Sequence, residues 1–324
     1  MYLFSETAFH HEGDKEYLLK LVDASKEAGV NGVKFQVLIN LDEFMSSRHS
    51  AYAQAKTWIL SIEDWREVFT YTQGLGLELI IMPLDIEAFS FVSEFNVRFL
   101  EIHSVSFNDA KLFLELEKYK IPLILGCGGR TQKEINKTIK RFSDRDIVLM
   151  VGFQSFPTEL VDVNIGKIKQ FKFFYQNCTI GYADHSSFND PMAITSNEYA
   201  YILGARIFEK HITIDEGCDR IDSQSAVSPV KIKKIKKNLL YLEKLKLEDS
   251  EELASMNDKE TAYRSRQKTP VANKDLNIGV KITKKDFDLK MIDVEDKIEE
   301  MEVMIGKNLK NIILLDNPVS KGDI

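Results

Sequence analysis

"IGYADHSS", residues Ile180 to Ser187, joins a run suited to a buried strand directly to three polar side chains, Asp184, His185 and Ser186. A strand end does not hide such a cluster without a partner, so either a turn begins there or the polar groups face something charged. The next strand-like run, "RIFEKHIT" from Arg206 to Thr213, also ends in polar residues, with His211 near its close. Reading outward, "YLFSET", "GVKFQVL", "LELIIMPL", "RFLEIHS", "PLILGCG" and "IVLMVGF" complete a set of eight short apolar runs. Amphipathic stretches separate them. In "DKEYLLKLVDASKEAG", for instance, Leu18, Leu19, Val22 and Ala28 approximate a 3.6-residue period and Gly29 supplies a stop. Eight strand–helix units in a row predict an α/β fold, a (β/α)8 TIM barrel. A doubly wound open sheet would carry a glycine-rich first turn, and "SETAFHHEGD" holds one glycine.

Sites of such barrels gather at the C-terminal ends of the strands, where the loops converge. The expected strand ends lie near Glu6, Gln36, Asp85, Ser104, Gly126, Gln154, His185 and His211, so nearly every strand delivers a polar group or glycine to one rim. After "PVKIKKIKKNLLYLEKLK" the chain turns acidic and poor in aromatics. The expected division is a barrel over residues 1–245, a linker over 246–262 and a small second domain over 263–324.

Composition bounds the function. With 324 residues, 44% of them hydrophobic and 29% charged, the chain can bury a large core. A net charge of −7 and a pI near 5.6 give no general attraction to nucleic acid or anionic lipid. The lysines of "KIKKIKK" leave a helical stripe of Ile232, Ile235 and Leu239, the pattern of a solvated helix. Three cysteines without metal-ligand spacing read as reduced thiols of a cytoplasmic protein. No apolar run approaches the roughly 20 residues of a membrane span.

Several rim residues carry chemistry. His185 and His211, at the ends of neighbouring strands, could share one divalent ion, or each could hydrogen-bond locally. Lys34, inside an apolar strand, needs an anion: it could face a carboxylate or phosphate, or serve as a Schiff-base nucleophile. Glu6 could fix sugar hydroxyls, act as a general base, or be a structural acceptor. "LGCGGRTQKE" could place Arg130 and free N–H groups around an anion, or be an ordinary strand-to-helix turn. Lys210 should alternate away from His211, toward the helices or the rim, with Glu209 as neighbour.

Together these segments resemble the sialic acid synthase family, which condenses phosphoenolpyruvate with an N-acylated hexose. "SETAFHHEGD" is similar to the family's Glu-x-x-x-Asn-His-x-Gly start, and "AGVNGVKFQ" to its Ala-Gly-Ala-x-x-Val-Lys-x-Gln. "FPTELVDVNI", "IGYADHSS" and "GARIFEKHIT" resemble three further motifs in order. "TPVANKDLNIGVKITKKDFDLK" resembles the antifreeze-like (SAF) domain that, in that family, caps the partner's site in a domain-swapped homodimer. The resemblance implies a metal-dependent transferase making nonulosonic acids for bacterial surface polysaccharide. His185 and His211 would bind manganese or magnesium. Glu6 and Asp222 would hold the open-chain sugar, and Lys34 and Ser104 the phosphoenolpyruvate. Gln36, Arg130 and Gln154 complete the expected substrate-binding set.

The departures cluster on the phosphate. Glu101 stands where the family has a phosphate-binding lysine, Gly126 and Ala183 replace serines, Gln154 replaces asparagine, Phe156 a tyrosine and Met291 the arginine of the capping domain. Losing donors to a charged group, each worth about 1.5–3 kcal/mol, leaves open a rearranged phosphate pocket, a pyruvate-dependent Schiff-base aldolase, or a non-catalytic sugar-binding relative.

Overall fold

A computed structural model describes residues 1–152, 155–245 and 255–324. The chain divides into two compact units, Met1–Leu247 and Glu248–Ile324. In the first, eight strands close into a barrel: β1 Tyr2–Glu6, β2 Gly32–Val37, β3 Glu78–Pro83, β4 Val97–Ile102, β5 Leu123–Gly126, β6 Ile147–Val151, β7 Thr179–Asp184 and β8 Ile207–His211. Every neighbouring pair is parallel, including β8 with β1, whose register sets His211 beside Glu6. The eight-unit reading of the sequence is borne out as a closed parallel barrel.

The two-residue period of the strands divides their side chains between wall faces. Leu3, Val33, Phe35, Leu79 and Ile81 join the core that includes Leu18, Val22, Trp65 and Phe69 of the surrounding helices. Phe4, Ile80, Phe99, Ile124, Val148, Met150, Ala183 and Ile207 form a separate apolar cluster. One period beyond Phe4, Phe99 and Ile207 come Glu6, Glu101 and Glu209, all buried. A charged layer therefore sits directly above an apolar one.

Helices around the barrel are stopped and started by local chemistry. Asp14 accepts from the backbone N–H of Tyr17 at the start of Lys15–Ala28, and Gly29, at φ +73°, ends it in the left-handed conformation. Ser61 and Asp64 form a capping box on Ile62–Gly74.

The second unit has its own core of Ala272, Leu276, Ile282, Phe287, Ile298, Met304, Leu309, Ile313 and Val319. Its two antiparallel strands are β9 Thr269–Ala272 and β10 Phe287–Lys290. Residues 246–254 of the expected linker lie outside the described residues. Beyond them the polar stretch is not featureless: Asp258–Arg264 is helical, because the Asn257 side chain accepts from Lys259 and Glu260 N–H groups in a capping box. Among the described residues no helix is long and apolar enough to cross a membrane.

Candidate functional site

The C-terminal mouth of the barrel opens into a cavity of about 550 Å³, lined among others by Glu6, Lys34, Gln36, Glu101, Glu209 and Asp222. This volume suits a small ligand. Its floor is organised by one ammonium group. Lys34 Nζ lies 2.9 Å from Glu6 Oε2, 3.0 Å from Glu101 Oε1 and 2.6 Å from Glu209 Oε2. All four side chains are buried. The costly lysine within an apolar strand thus has its anions within the protein itself.

Three carboxylates around one cation cannot all ionise equally. Burial would raise Glu6, but the Lys34 charge, then His211, hold it well below the usual carboxylate range. Burial pushes Glu101 up to about 7 against the pull of Lys34. Burial and then the charge of Glu6 hold Glu209 well above its ordinary value. Lys34 itself, which burial alone would lower, is held well above the ordinary lysine value by Glu101, Glu209 and Glu6. It is a firmly protonated group.

Above this floor the His185 and His211 rings stand 4.7 Å apart. His185, Glu209 and His211 each offer a ligand atom, all within 4.8 Å of one another. Burial, then His211, pushes His185 down to about 3, so its imidazole is neutral, the form that ligates metal. His211 Nε2 is 3.2 Å from Glu6 Oε2, yet it has no hydrogen-bond partner among the described residues. A buried imidazole nitrogen of this kind, facing an excess of carboxylate, fits a divalent cation. Manganese or magnesium would find two nitrogens and one oxygen here, with the rest of the shell left to water and substrate.

The rim residues expected from the sequence fall into two groups. Glu6, Lys34, Gln36, Ser104, His185, His211 and Asp222 line the one cavity. Gln36 Nε2 donates to Glu6 Oε1 at 2.7 Å, fixing the carboxylate that Lys34 neutralises. Asp222 adopts a left-handed φ of +63°, and burial raises its carboxyl above the usual range. Arg130 is not among the lining residues; it pairs at 3.5 Å with Glu134 in the first turn of the helix that follows it. Its loop reaches the cavity only through Gly126, Cys127 and Gly128. Asp85 caps a loop, accepting from Ile39, Asn40 and Ala88 N–H groups. Gln154 lies outside the described residues.

Glu209 is the cavity residue that the sequence reading missed, naming it only as a neighbour of Lys210, itself expected toward the helices or the rim. Lys210 does face away from the cavity, but its partner is Asp184 of β7 at 2.8 Å, a pair with no exposed surface. The strand period held the correct answer, since Glu209 is two residues before His211 and so shares its face. The Phe9 and Trp58 rings, 5.3 Å apart and tilted by 30°, give the cavity an aromatic wall. Their meeting joins two loops and leaves no local sequence signal.

Comparisons with known proteins place this architecture among sugar-acid synthases. Residues 21–251 match the model described as the NeuB family. The N-acetylneuraminate-9-phosphate synthase of Drosophila melanogaster is 23% identical, covering 98% of this chain and 94% of its own. The N,N'-diacetyllegionaminic acid synthase of Legionella pneumophila is 25% identical over 88% of this chain and 84% of its own, and the pseudaminic acid synthase of Campylobacter jejuni 26% over 69% and 68%. In fold, the chain is similar to the crystal structure of spore coat polysaccharide biosynthesis protein E from Chromobacterium violaceum. The TM-score is 0.83 at 22% identity, with 100% of this chain and 99% of that one covered.

Proposed function

Because the chain belongs to the NeuB family, we propose that it is a nonulosonic acid synthase, joining a three-carbon enol donor to the aldehyde carbon of an open-chain N-acylated hexose such as N-acetylmannosamine. Phosphoenolpyruvate, with loss of phosphate, is the donor that the family resemblance implies, and bacterial surface polysaccharide the destination. The observation that carries the reading is the convergence of His185, Glu209 and His211 beside Glu6 at the closing strands. Glu6, held by Gln36, accepts from a sugar hydroxyl, and Asp222 and Ser104 reach into the same space. His185, Glu209 and His211 would hold the divalent cation, whose chemistry when bound is to polarise the aldehyde oxygen. Lys34 keeps the carboxylates fixed and the cavity's charge bounded.

Schiff-base chemistry at Lys34 is disfavoured, because only the neutral amine attacks a carbonyl and this one is held protonated by three carboxylates. Treatment with borohydride and pyruvate should leave the protein mass unchanged. The second unit is proposed as the antifreeze-like cap of a domain-swapped homodimer, which light scattering at twice the chain mass would support and a monomer would refute.

The main test supplies a divalent ion, a panel of N-acylated hexoses, and either phosphoenolpyruvate or pyruvate. A nine-carbon 2-oxo acid detected by mass spectrometry is the expected result. No such acid from either donor across the panel overturns the synthase reading.

A further inference from the structure

Glu101 Oε1 is tied to Lys34 at 3.0 Å, while Oε2, equally buried, has no hydrogen-bond partner among the described residues. The residue is 4% exposed and lines the cavity. A buried carboxylate oxygen fixed in place and unpartnered is costly to keep. It is also placed to meet a ligand.

We propose that Glu101 is a catalytic base and that the donor taken by this cavity is an unphosphorylated 2-oxo acid of the pyruvate class. The proposal rests on the carbon–carbon bond-forming reading above and names its donor. The first argument is the supply of donors for a phosphate. An ammonium has three N–H groups, and those of Lys34 face Glu6, Glu101 and Glu209. No other lysine or arginine is among the described lining residues, and Gly126 and Ala183 there present no side-chain donors. The second argument is charge. Glu6, Glu101, Glu209 and Asp222 outnumber Lys34, so the cavity holds an excess of acidic groups even though they do not all ionise together. A trianionic donor meets this excess inside a low-dielectric site, whereas a 2-oxo acid brings one negative charge.

The step balances without a further reactant. Glu101 Oε2 takes a proton from the methyl carbon of the 2-oxo acid. The electron pair of that C–H bond becomes the new bond to the aldehyde carbon. The aldehyde oxygen receives the displaced π pair and a proton, giving a 4-hydroxy-2-oxo acid. Nothing is oxidised and no phosphate leaves.

Proton abstraction can be followed without knowing the acceptor sugar. The full chain with magnesium and pyruvate in D2O should lose the pyruvate methyl signal in proton NMR at least about 100-fold faster than magnesium alone, the low end for a positioned base. Glu101→Gln should lose that acceleration by about 100-fold or more while keeping its circular dichroism, and Glu101→Asp should retain part of it. By calorimetry without metal, wild type should give no binding of phosphoenolpyruvate or inorganic phosphate, and Glu101→Lys should gain it. Phosphate release from phosphoenolpyruvate with pyruvate methyl protons unexchanged overturns the inference and leaves the synthase reading standing. Exchange by Glu101→Gln at the wild-type rate overturns the role of Glu101. Absence of exchange together with absence of product from either donor overturns both readings.

Discussion

One ammonium neutralising three buried carboxylates makes Lys34 a residue the fold can ill afford to lose. Removing a partner from a buried ionic cluster costs about 3–5 kcal/mol. Lys34→Ala should therefore lower the urea midpoint by an equivalent amount, and an unchanged midpoint would mean that the carboxylates are already protonated. The same cluster sets a pH dependence. The Glu101 carboxyl is raised from 4.5 to about 7 on folding, so the native state binds a proton that the unfolded state has released. Its contribution is fully present below about pH 4.5 and is lost as pH rises through about 7. Glu209, raised in the same direction, adds to this. In chelator, the stability of wild type should fall across that window, and Glu101→Gln should flatten the fall. A slope of the opposite sign would count against this charge distribution. At this scale the sequence disclosed Glu6, Lys34, Gln36, Ser104, His185, His211 and Asp222 at the mouth, through strand alternation and position, but not Glu209. It did not disclose that Lys34 binds Glu101 and Glu209, because those contacts cross the barrel between strands far apart in the chain.

Among elements, the strands were legible and some of the loops were not. Each of the eight runs named from the sequence forms a barrel strand, since apolar β-rich segments between capped helices admit few other arrangements. Arg130 shows the limit: a small-residue turn before a helix looks like an anion cradle, yet here the guanidinium turns to Glu134 in the first turn of the helix that follows. The aromatic wall depends on two loops meeting at Gly13. A Cβ on Gly13 would lie 2.2 Å from the Thr57 carbonyl oxygen, and its φ of +81° already disfavours any other residue. Gly13→Ala should cost more than about 2 kcal/mol from the backbone conformation and the clash together. It should also weaken the proposed sugar binding, because Thr57 adjoins Trp58, whose ring lies 5.3 Å from that of Phe9 in the cavity wall. Calorimetric titration with the accepted hexose checks this, and unaltered affinity with a normal melting temperature would refute the coupling.

For the whole molecule, two separate cores predict that a fragment of residues 1–247 folds alone, with a single cooperative melt and the circular dichroism of an α/β protein. Aggregation of that fragment under conditions where the full chain is soluble would argue that the barrel needs the second unit. The fold class was legible from the repeat of strand and helix, whereas the fold of the second unit follows from turns and irregular backbone that carry little periodicity. The closure of β8 onto β1, with Glu6 beside His211, has a further meaning during synthesis. The candidate centre is a seam, stitched from the first stave to leave the ribosome and the last. A nascent chain can shape much of the wall before the final stave arrives, but it cannot own the centre, so premature release would yield a vessel without the cluster of His185, Glu209 and His211.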